Sequence, residues 1–295
     1  MDNKQQIREL DKETWNNLVG VSEQGSIFVT TKWLDLYQEP YVLYGYYKGN
    51  ELAGGLAGFV EGDKFINMKQ LTPFMGIVIG DVSSRKYTSA MSLHSEVASR
   101  FTEFLSDKFA SIQVANHYTF PDIRQFLWHG YTPQIKYTYV VDITQDSRTW
   151  LESDTRYEIN KCIKACIDVE VDTMQGFLEK YKAMWERKGM EQPLPDDFYY
   201  RLAKNATNYI YQADGAGVVI LYDNKRAYYI LGASIESGNG ASSYCLWQAI
   251  KESYSFGIRE IDLVGCNDEK IGLFKRGFGG TLKPYYLMEK KNENI

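Results

Sequence analysis

Lys275 lies in the segment Phe274-Lys-Arg-Gly-Phe-Gly-Gly280, between an aromatic residue and a glycine-rich turn. The flanking aromatics would anchor a short helix and set the direction of the lysine. A cation held this way can bind a phosphate or stabilise the oxyanion of a tetrahedral intermediate. The other reading is a solvated helix-end lysine that counters the C-terminal dipole, and its neighbour Arg276 reads as a surface residue. Gly277, Gly279 and Gly280 permit a sharp turn and read first as a plain helix-to-strand connection. Asp262 sits in an apolar strand with Ile261 and Leu263 on the opposite face, so its carboxylate needs a partner or a cleft. A general base and a structural ion pair are both open. Tyr228 and Tyr229 are adjacent in a strand and face opposite sides, one to the core and one to a cleft. A cleft tyrosine could protonate a leaving group or hydrogen-bond an acceptor. Asn267, Asp268 and Glu269 read first as a helix start, with Asn267 or Asp268 as the N-cap of residues 269–275, rather than as catalysts. Arg156, Lys161 and Lys164 form a basic patch on a helix, fit either for nucleotide phosphates or for a solvated face.

Other chemistries lack their residues. Four Cys (162, 166, 245 and 266) form no CxxC pair, and there are three His, so no metal site is expected. His94, His117 and His129 have no pattern that supports catalysis. The net charge of -5 gives no bulk attraction for nucleic acid, DNA or tRNA. The charged N-terminal stretch MDNKQQIRELDKETW is unlike a signal peptide, and no apolar run approaches the ~18 residues of a membrane helix. A cytoplasmic protein without a membrane span is expected.

The elements that must position these residues come in two similar series. Hydrophobic residues make up 44% of the 295, enough for two packed domains. Helices are expected at 11–20 and 31–38, then a strand meander at 41–47, 52–60 and 65–71, a long helix at 86–109, and a strand at 112–115. A short helix at 122–128 and a strand at 137–143 follow. The second half has helices at 147–166, 175–188 and 196–204, strands at 208–212, 217–222 and 227–233, and a helix at 241–256. A strand at 260–264, a short helix at 269–275 and a strand at 282–288 close it. The ends of the halves also rhyme: Ser111-Ile-Gln-Val-Ala then Phe126-Leu-Trp-His-Gly-Tyr131, against Arg259-Glu-Ile-Asp-Leu-Val then Phe274-Lys-Arg-Gly-Phe278. Such self-similarity fixes architecture. The fold class is α/β with mixed sheets, divided into tandem domains at 1–145 and 146–295.

The segments Ala227-Tyr-Tyr-Ile-Leu-Gly-Ala-Ser234, Trp247-Gln-Ala-Ile250, Ile261-Asp-Leu-Val-Gly265 and Phe274–Gly280 resemble the FemAB/FemX-type branch of the GNAT acyltransferases. Ile27-Phe-Val-Thr-Thr-Lys-Trp33 and Thr155-Arg-Tyr-Glu-Ile-Asn-Lys161 fit the same pattern. The resemblance implies two tandem GNAT-like domains, with the transferase site in or beside the second. It implies amide formation between an activated acyl donor and an amine, with Lys275, Tyr229 and Asp262 as catalytic residues. GNAT enzymes bind the CoA pyrophosphate at a glycine-containing turn before a helix, which points here to Gly238, Asn239, Gly240 and Ala241. Lys32, Trp33, Arg156 and Lys161 are the implied acceptor-binding residues. The implied function is N-acyl transfer from acyl-CoA, such as acetyl-CoA, to an amine of a sugar, a nucleotide-linked sugar or a cell-envelope precursor. The second half leaves no room for the long helical hairpin of some bridge-forming members, which places acyl-CoA before an aminoacyl-tRNA donor and a peptidoglycan precursor. A degenerate, non-catalytic binding module is the remaining alternative.

Overall fold

The computed structural model describes residues 6–143, 150–235 and 240–292, which divide into two compact units: residues 1–136 with 284–295, and residues 137–283.

The first unit is built on a meander of β1 (Ile7–Glu9), β2 (Tyr41–Lys48), β3 (Glu51–Glu61) and β4 (Lys64–Ile66), each antiparallel to the next. β5 (Val78–Ile79) pairs with β3, and β6 (Ser111–Ala115) runs parallel to β4. Period-two alternation sends Tyr44 and Tyr46 of β2 to one face and Leu43 to the other. On the first face lies α3 (Tyr87–Lys108), whose Leu93, Val97, Phe101 and Leu105 recur at helical spacing and are buried. On the other lie α1 (Lys12–Val21), which buries Trp15, Leu18 and Val19, and α2 (Thr31–Leu34). Asp11 caps α1 by accepting the Thr14 N–H at 2.8 Å. The strand expected at 65–71 ends at Ile66. Asn67 is fully buried there and donates to the carbonyls of Ala57 and Met75, and its side-chain oxygen accepts the Ala115 N–H, so its amide stands in for ladder bonds. α4 (Arg124–Trp128) follows β6.

The second unit repeats the scheme. β9 (Asn208–Ala213), β10 (Ala216–Tyr222) and β11 (Ala227–Ser234) form an antiparallel meander, with the short β8 (Glu170–Val171) on its edge. β12 (Glu260–Asp262) runs parallel to β11. All seven residues of β10 are buried, as a strand covered on both faces must be. α5 (Ser153–Lys164) and α8 (Ala241–Ser255) bury Ile159, Cys162, Cys245 and Leu246 against Ala216, Val218 and Ile220. α6 (Met174–Arg187) covers the other face, where the Phe177 ring stands over Gly217, and packs on α7 (Asp196–Asn205).

Both units therefore share one order: three antiparallel strands, a helix, a parallel strand and an antiparallel closing strand. The closing strands are exchanged between the halves. β7 (Thr132–Asp142) ends the first half, yet its residues 140–142 pair with β12. β13 (Thr281–Lys291) ends the second half, yet its residues 287–291 pair with β6 in the first unit. The units accordingly divide at 136/137 and again at 283/284, whereas the sequence was divided at 145/146.

Candidate active site

The second unit opens where two parallel strands part. β11 and β12 are paired at two positions only, Ala227 with Ile261 and Tyr228 with Asp262. β11 runs on to Ser234, bent by a bulge where Val219 faces Leu231 but Ile220 faces Tyr229. β12 stops at Asp262 instead of reaching residue 264, because Val264 and Gly265 turn left-handed, with φ of 48° and 54°. A fork results, walled by Tyr229 on one strand and by the turn at 264–265 on the other.

Lys275 lies beside this fork. It stands in the last turn of α9 (Glu269–Arg276), a helix capped by Asp268, whose carboxylate accepts the Ile271 N–H at 3.1 Å. Lys275 is 7% exposed. Its ammonium donates to the carbonyls of Val264 and Gly265, the second at 2.9 Å, and lies 5.4 Å from the centre of the Tyr229 ring. Burial lowers its pKa to about 8, against the opposing pull of Asp262 and Cys266. This is a buried ammonium with carbonyl partners, not a solvated helix-end charge. Arg276 does point outward, pairing with Glu152 at 3.0 Å with both side chains about half exposed.

Asp262 is fully buried. Its Oδ1 accepts from the Thr138 hydroxyl and from the Val264 N–H at 2.8 Å, while Oδ2 is buried without a hydrogen-bond partner. Burial raises its carboxyl to about 6, with the Thr138 and Val264 bonds and the charges of Lys275 and Arg226 working against that rise. Tyr228 takes the inward side of β11 and donates to Asp223 at 2.8 Å. Tyr229 takes the other side, and burial raises its phenol so that it stays protonated at neutral pH. Its hydroxyl lies along the strand over Gly232, where a Cβ would come within 2.0 Å of it. Lys275, Tyr229 and Asp262 are thus brought together.

The other expected positions are spread out. Gly238 and Asn239 lie outside the described residues. Gly240, with φ of 78°, and Ala241 start α8 and are buried beneath α5: a Cβ on Gly240 would stand 3.1 Å from both Cβ and the carbonyl oxygen of Glu158. Glu158 accepts the Ser243 hydroxyl at 3.1 Å, which puts a carboxylate beside the first turn of α8. Arg156, Lys161 and Lys164 are exposed on α5. In the first unit Lys32 is exposed, whereas Trp33 is 1% exposed and its indole N–H donates to Thr72 Oγ1 at 2.8 Å, the geometry of a core tryptophan. Asn267 is no cap: its Oδ1 accepts the Tyr137 N–H at 2.8 Å. The sequence reading missed Thr138, Glu158, Gly232 and the left-handed turn. Gly265 was the one local signal of that turn.

Among the described residues no group of three His, Cys, Asp or Glu side chains is placed to hold a metal ion, and no helix is long and apolar enough to cross a membrane.

No family model matches the sequence, and no curated protein does. Solved structures do match. FemX superposes with a TM-score of 0.67 at 12% identity, over 95% of this chain and 96% of its own. The C-terminal domain of a putative lysylphosphatidylglycerol synthetase from Agrobacterium fabrum gives 0.61 at 12% identity, over 99% and 93%. A tandem GNAT protein from the clavulanic acid biosynthesis pathway gives 0.55 at 7% identity, over 96% and 97%. The chain therefore has the mixed α/β fold of FemX and of tandem GNAT proteins along its length.

Proposed function

We propose that this chain is an acyltransferase that moves an acyl group from an activated ester or thioester to an amine, with Lys275 as the cation of the site. The observation that carries this reading is the buried ammonium beside the β11–β12 fork, next to Tyr229. In such a reaction the amine nitrogen bonds to the acyl carbon and gives up a proton, the carbonyl oxygen gains negative charge, and the bond to the leaving oxygen or sulfur breaks as that atom takes up a proton. The proton lost from nitrogen balances the one delivered to the leaving group. An ammonium screened from water stabilises that charge far better than one in bulk solvent. Tyr229 keeps its proton at neutral pH and can donate it to the departing group.

One observation bears on the donor. Acyl-CoA came first from the sequence, with its pyrophosphate at the N-terminus of α8. Glu158 stands beside the first turn of that helix, and a phosphate next to its carboxylate is disfavoured. This weakens that helix end as a CoA phosphate site and keeps open an aminoacyl ester on an RNA 3′ end, the donor used by part of the FemAB/FemX branch. The exposed cations Arg156, Lys161 and Lys164 on α5 suit phosphates of either the donor or a nucleotide-linked acceptor. The acceptor class is an amine on a sugar or cell-envelope precursor.

The experiment is thermal unfolding with acetyl-CoA and, separately, with an aminoacylated RNA minihelix, followed by transfer assays with amine acceptors. A ligand at a hundredfold over its Kd stabilises by ~2.7 kcal/mol. Stabilisation by the minihelix that weakens with salt supports the ester donor, and stabilisation by acetyl-CoA alone restores the thioester. No shift with either, together with no transfer, would sink the acyltransferase reading.

A further inference from the structure

The sequence leaves Asp262 open as either a base or an ion-pair partner, and its surroundings favour neither. Its carboxylate has no exposed surface and so cannot touch an acceptor amine. One oxygen is taken by the Thr138 hydroxyl and the Val264 N–H, and Lys275 donates to backbone carbonyls rather than to the other.

Val264 joins the two side chains. Its N–H goes to Asp262 and its carbonyl to Lys275. It is a β-branched residue at φ 48°, which is sterically uphill and persists only where the surroundings hold it from several sides. Here β7 contributes Thr138, β12 contributes Asp262 and α9 contributes Lys275. The same turn aims the carbonyls of residues 264 and 265 at one ammonium, fixing where that ammonium sits.

Charge works in the same direction. Lys275 faces Asp262 on β12, Cys266 in the turn and the ring of Tyr229 on β11. Asp262 faces Thr138 on β7, Lys275 on α9 and Arg226, which lies just before β11 and also pairs with Glu260. Asp262 is the nearby carboxylate that opposes the loss of the Lys275 proton on burial.

Resting on the reading of Lys275 as the transfer cation, we propose that Asp262 is a positioning residue: anchored by Thr138, it locks the Val264–Gly265 turn in its left-handed form and supplies the counter-charge that keeps the Lys275 ammonium charged and in place.

The test is side-chain NMR of the full chain carrying labelled lysine, with Lys275→Arg assigning the resonance. In the natural chain Lys275 should titrate near pH 8, well below ordinary lysines, with a second inflection near pH 6 as Asp262 takes its proton. Asp262→Asn keeps an acceptor for the Val264 N–H and removes the charge. It should lose the inflection and move the Lys275 midpoint to lower pH by about one pH unit. No inflection in the natural chain, or an unchanged midpoint in the Asn variant, overturns the counter-charge. The inflection needs no variant, so a failure of Asp262→Asn to fold leaves the test intact. These measurements need no substrate, so they stand or fall apart from the acyltransferase reading. Once a transfer assay exists, a displaced basic limb in the pH profile of Asp262→Asn supports positioning. A kcat loss of ~10²–10⁴ at every pH with the Lys275 midpoint unchanged makes Asp262 the base.

Discussion

Lys275 and Asp262 grip opposite ends of one residue: the ammonium takes the carbonyl of Val264, and the carboxylate takes its N–H at 2.8 Å. Neither side chain could be buried cheaply alone. Together they satisfy a strained turn and each offsets part of the other's desolvation, which makes this corner of the second unit sensitive to substitution, to pH and to backbone change.

Lys275→Met should reduce turnover by ~10²–10³-fold, the usual effect of losing one transition-state donor. It also leaves two carbonyls without their donor, a cost of ~1–3 kcal/mol in part compensated by no longer burying a charge. Arg276→Met removes the adjacent, half-exposed cation and its surface ion pair, worth ~0–1 kcal/mol, and should leave turnover near that of the natural chain. Turnover of both variants at saturating substrates checks this. Equal, small effects would make Lys275 structural only.

The buried pair gives stability a distinctive dependence on pH. From 3.8 to about 6 the folded chain keeps a proton on Asp262 that the unfolded chain has released, so stability falls as pH rises. From about 8 to 10.5 the unfolded chain keeps a proton on Lys275 that the folded chain has released, so stability rises. The contribution of the pair is therefore lowest between about 6 and 8. Denaturant midpoints across pH should show the acid slope disappear in Asp262→Asn and the alkaline slope disappear in Lys275→Met. Slopes that persist in both variants would assign them to other groups.

Val264→Gly tests the strain. Glycine adopts the left-handed region without a Cβ clash, a relief of ~1–3 kcal/mol, and gives back ~0.5–1 kcal/mol in backbone entropy. A net stabilisation of about 1 kcal/mol is expected, seen as a raised denaturant midpoint at unchanged slope. Turnover should fall, because a freer turn holds Lys275 less firmly. Strong destabilisation would mean that the Val264 side chain, rather than the bonds of its peptide groups, holds the turn.

Glu158→Gln keeps an acceptor for Ser243 and removes the charge at the start of α8. The loss of a favourable helix-dipole contact should cost ~0.3–1 kcal/mol in chemical denaturation. Calorimetric titration with CoA should show tighter binding to the variant than to the natural chain. Equal CoA affinity would mean that no phosphate of that ligand approaches this helix end.

Gly279→Ala should be among the most damaging single changes in the second unit. Gly279 has φ 70°, and an added Cβ would lie 2.1 Å from the carbonyl oxygen of Trp150, a backbone atom that cannot swing aside. A loss of ~3 kcal/mol or more is expected in equilibrium unfolding, above the ~1–3 kcal/mol of backbone strain alone. A mild effect would return Gly279 to the role of a simple turn residue.

Much of this was legible because it is local. The spacing of Leu93, Val97, Phe101 and Leu105 gives α3, the Phe and Gly residues around Lys275 give a short helix with a directed cation, and the adjacent Tyr228 and Tyr229 had to part to opposite faces. What was not legible joins distant residues. Thr138 and Asp262 are 124 positions apart, and Glu158 and Ser243 are 85 apart. No periodicity encodes such pairs. The end of β12 at Asp262 was hidden for another reason: Leu263 and Val264 continue the apolar run, Val264 has strong β propensity, and tertiary bonds override both.

The exchange of closing strands sets an order of assembly. The second unit is one unbroken stretch, residues 137–283, whereas the first is left open along β6 until residues 287–291 arrive. During synthesis the earlier-encoded unit therefore waits for almost the whole chain with β6 as a bare edge, the kind of surface that recruits wrong partners. A chain truncated at residue 145 would make that waiting state permanent.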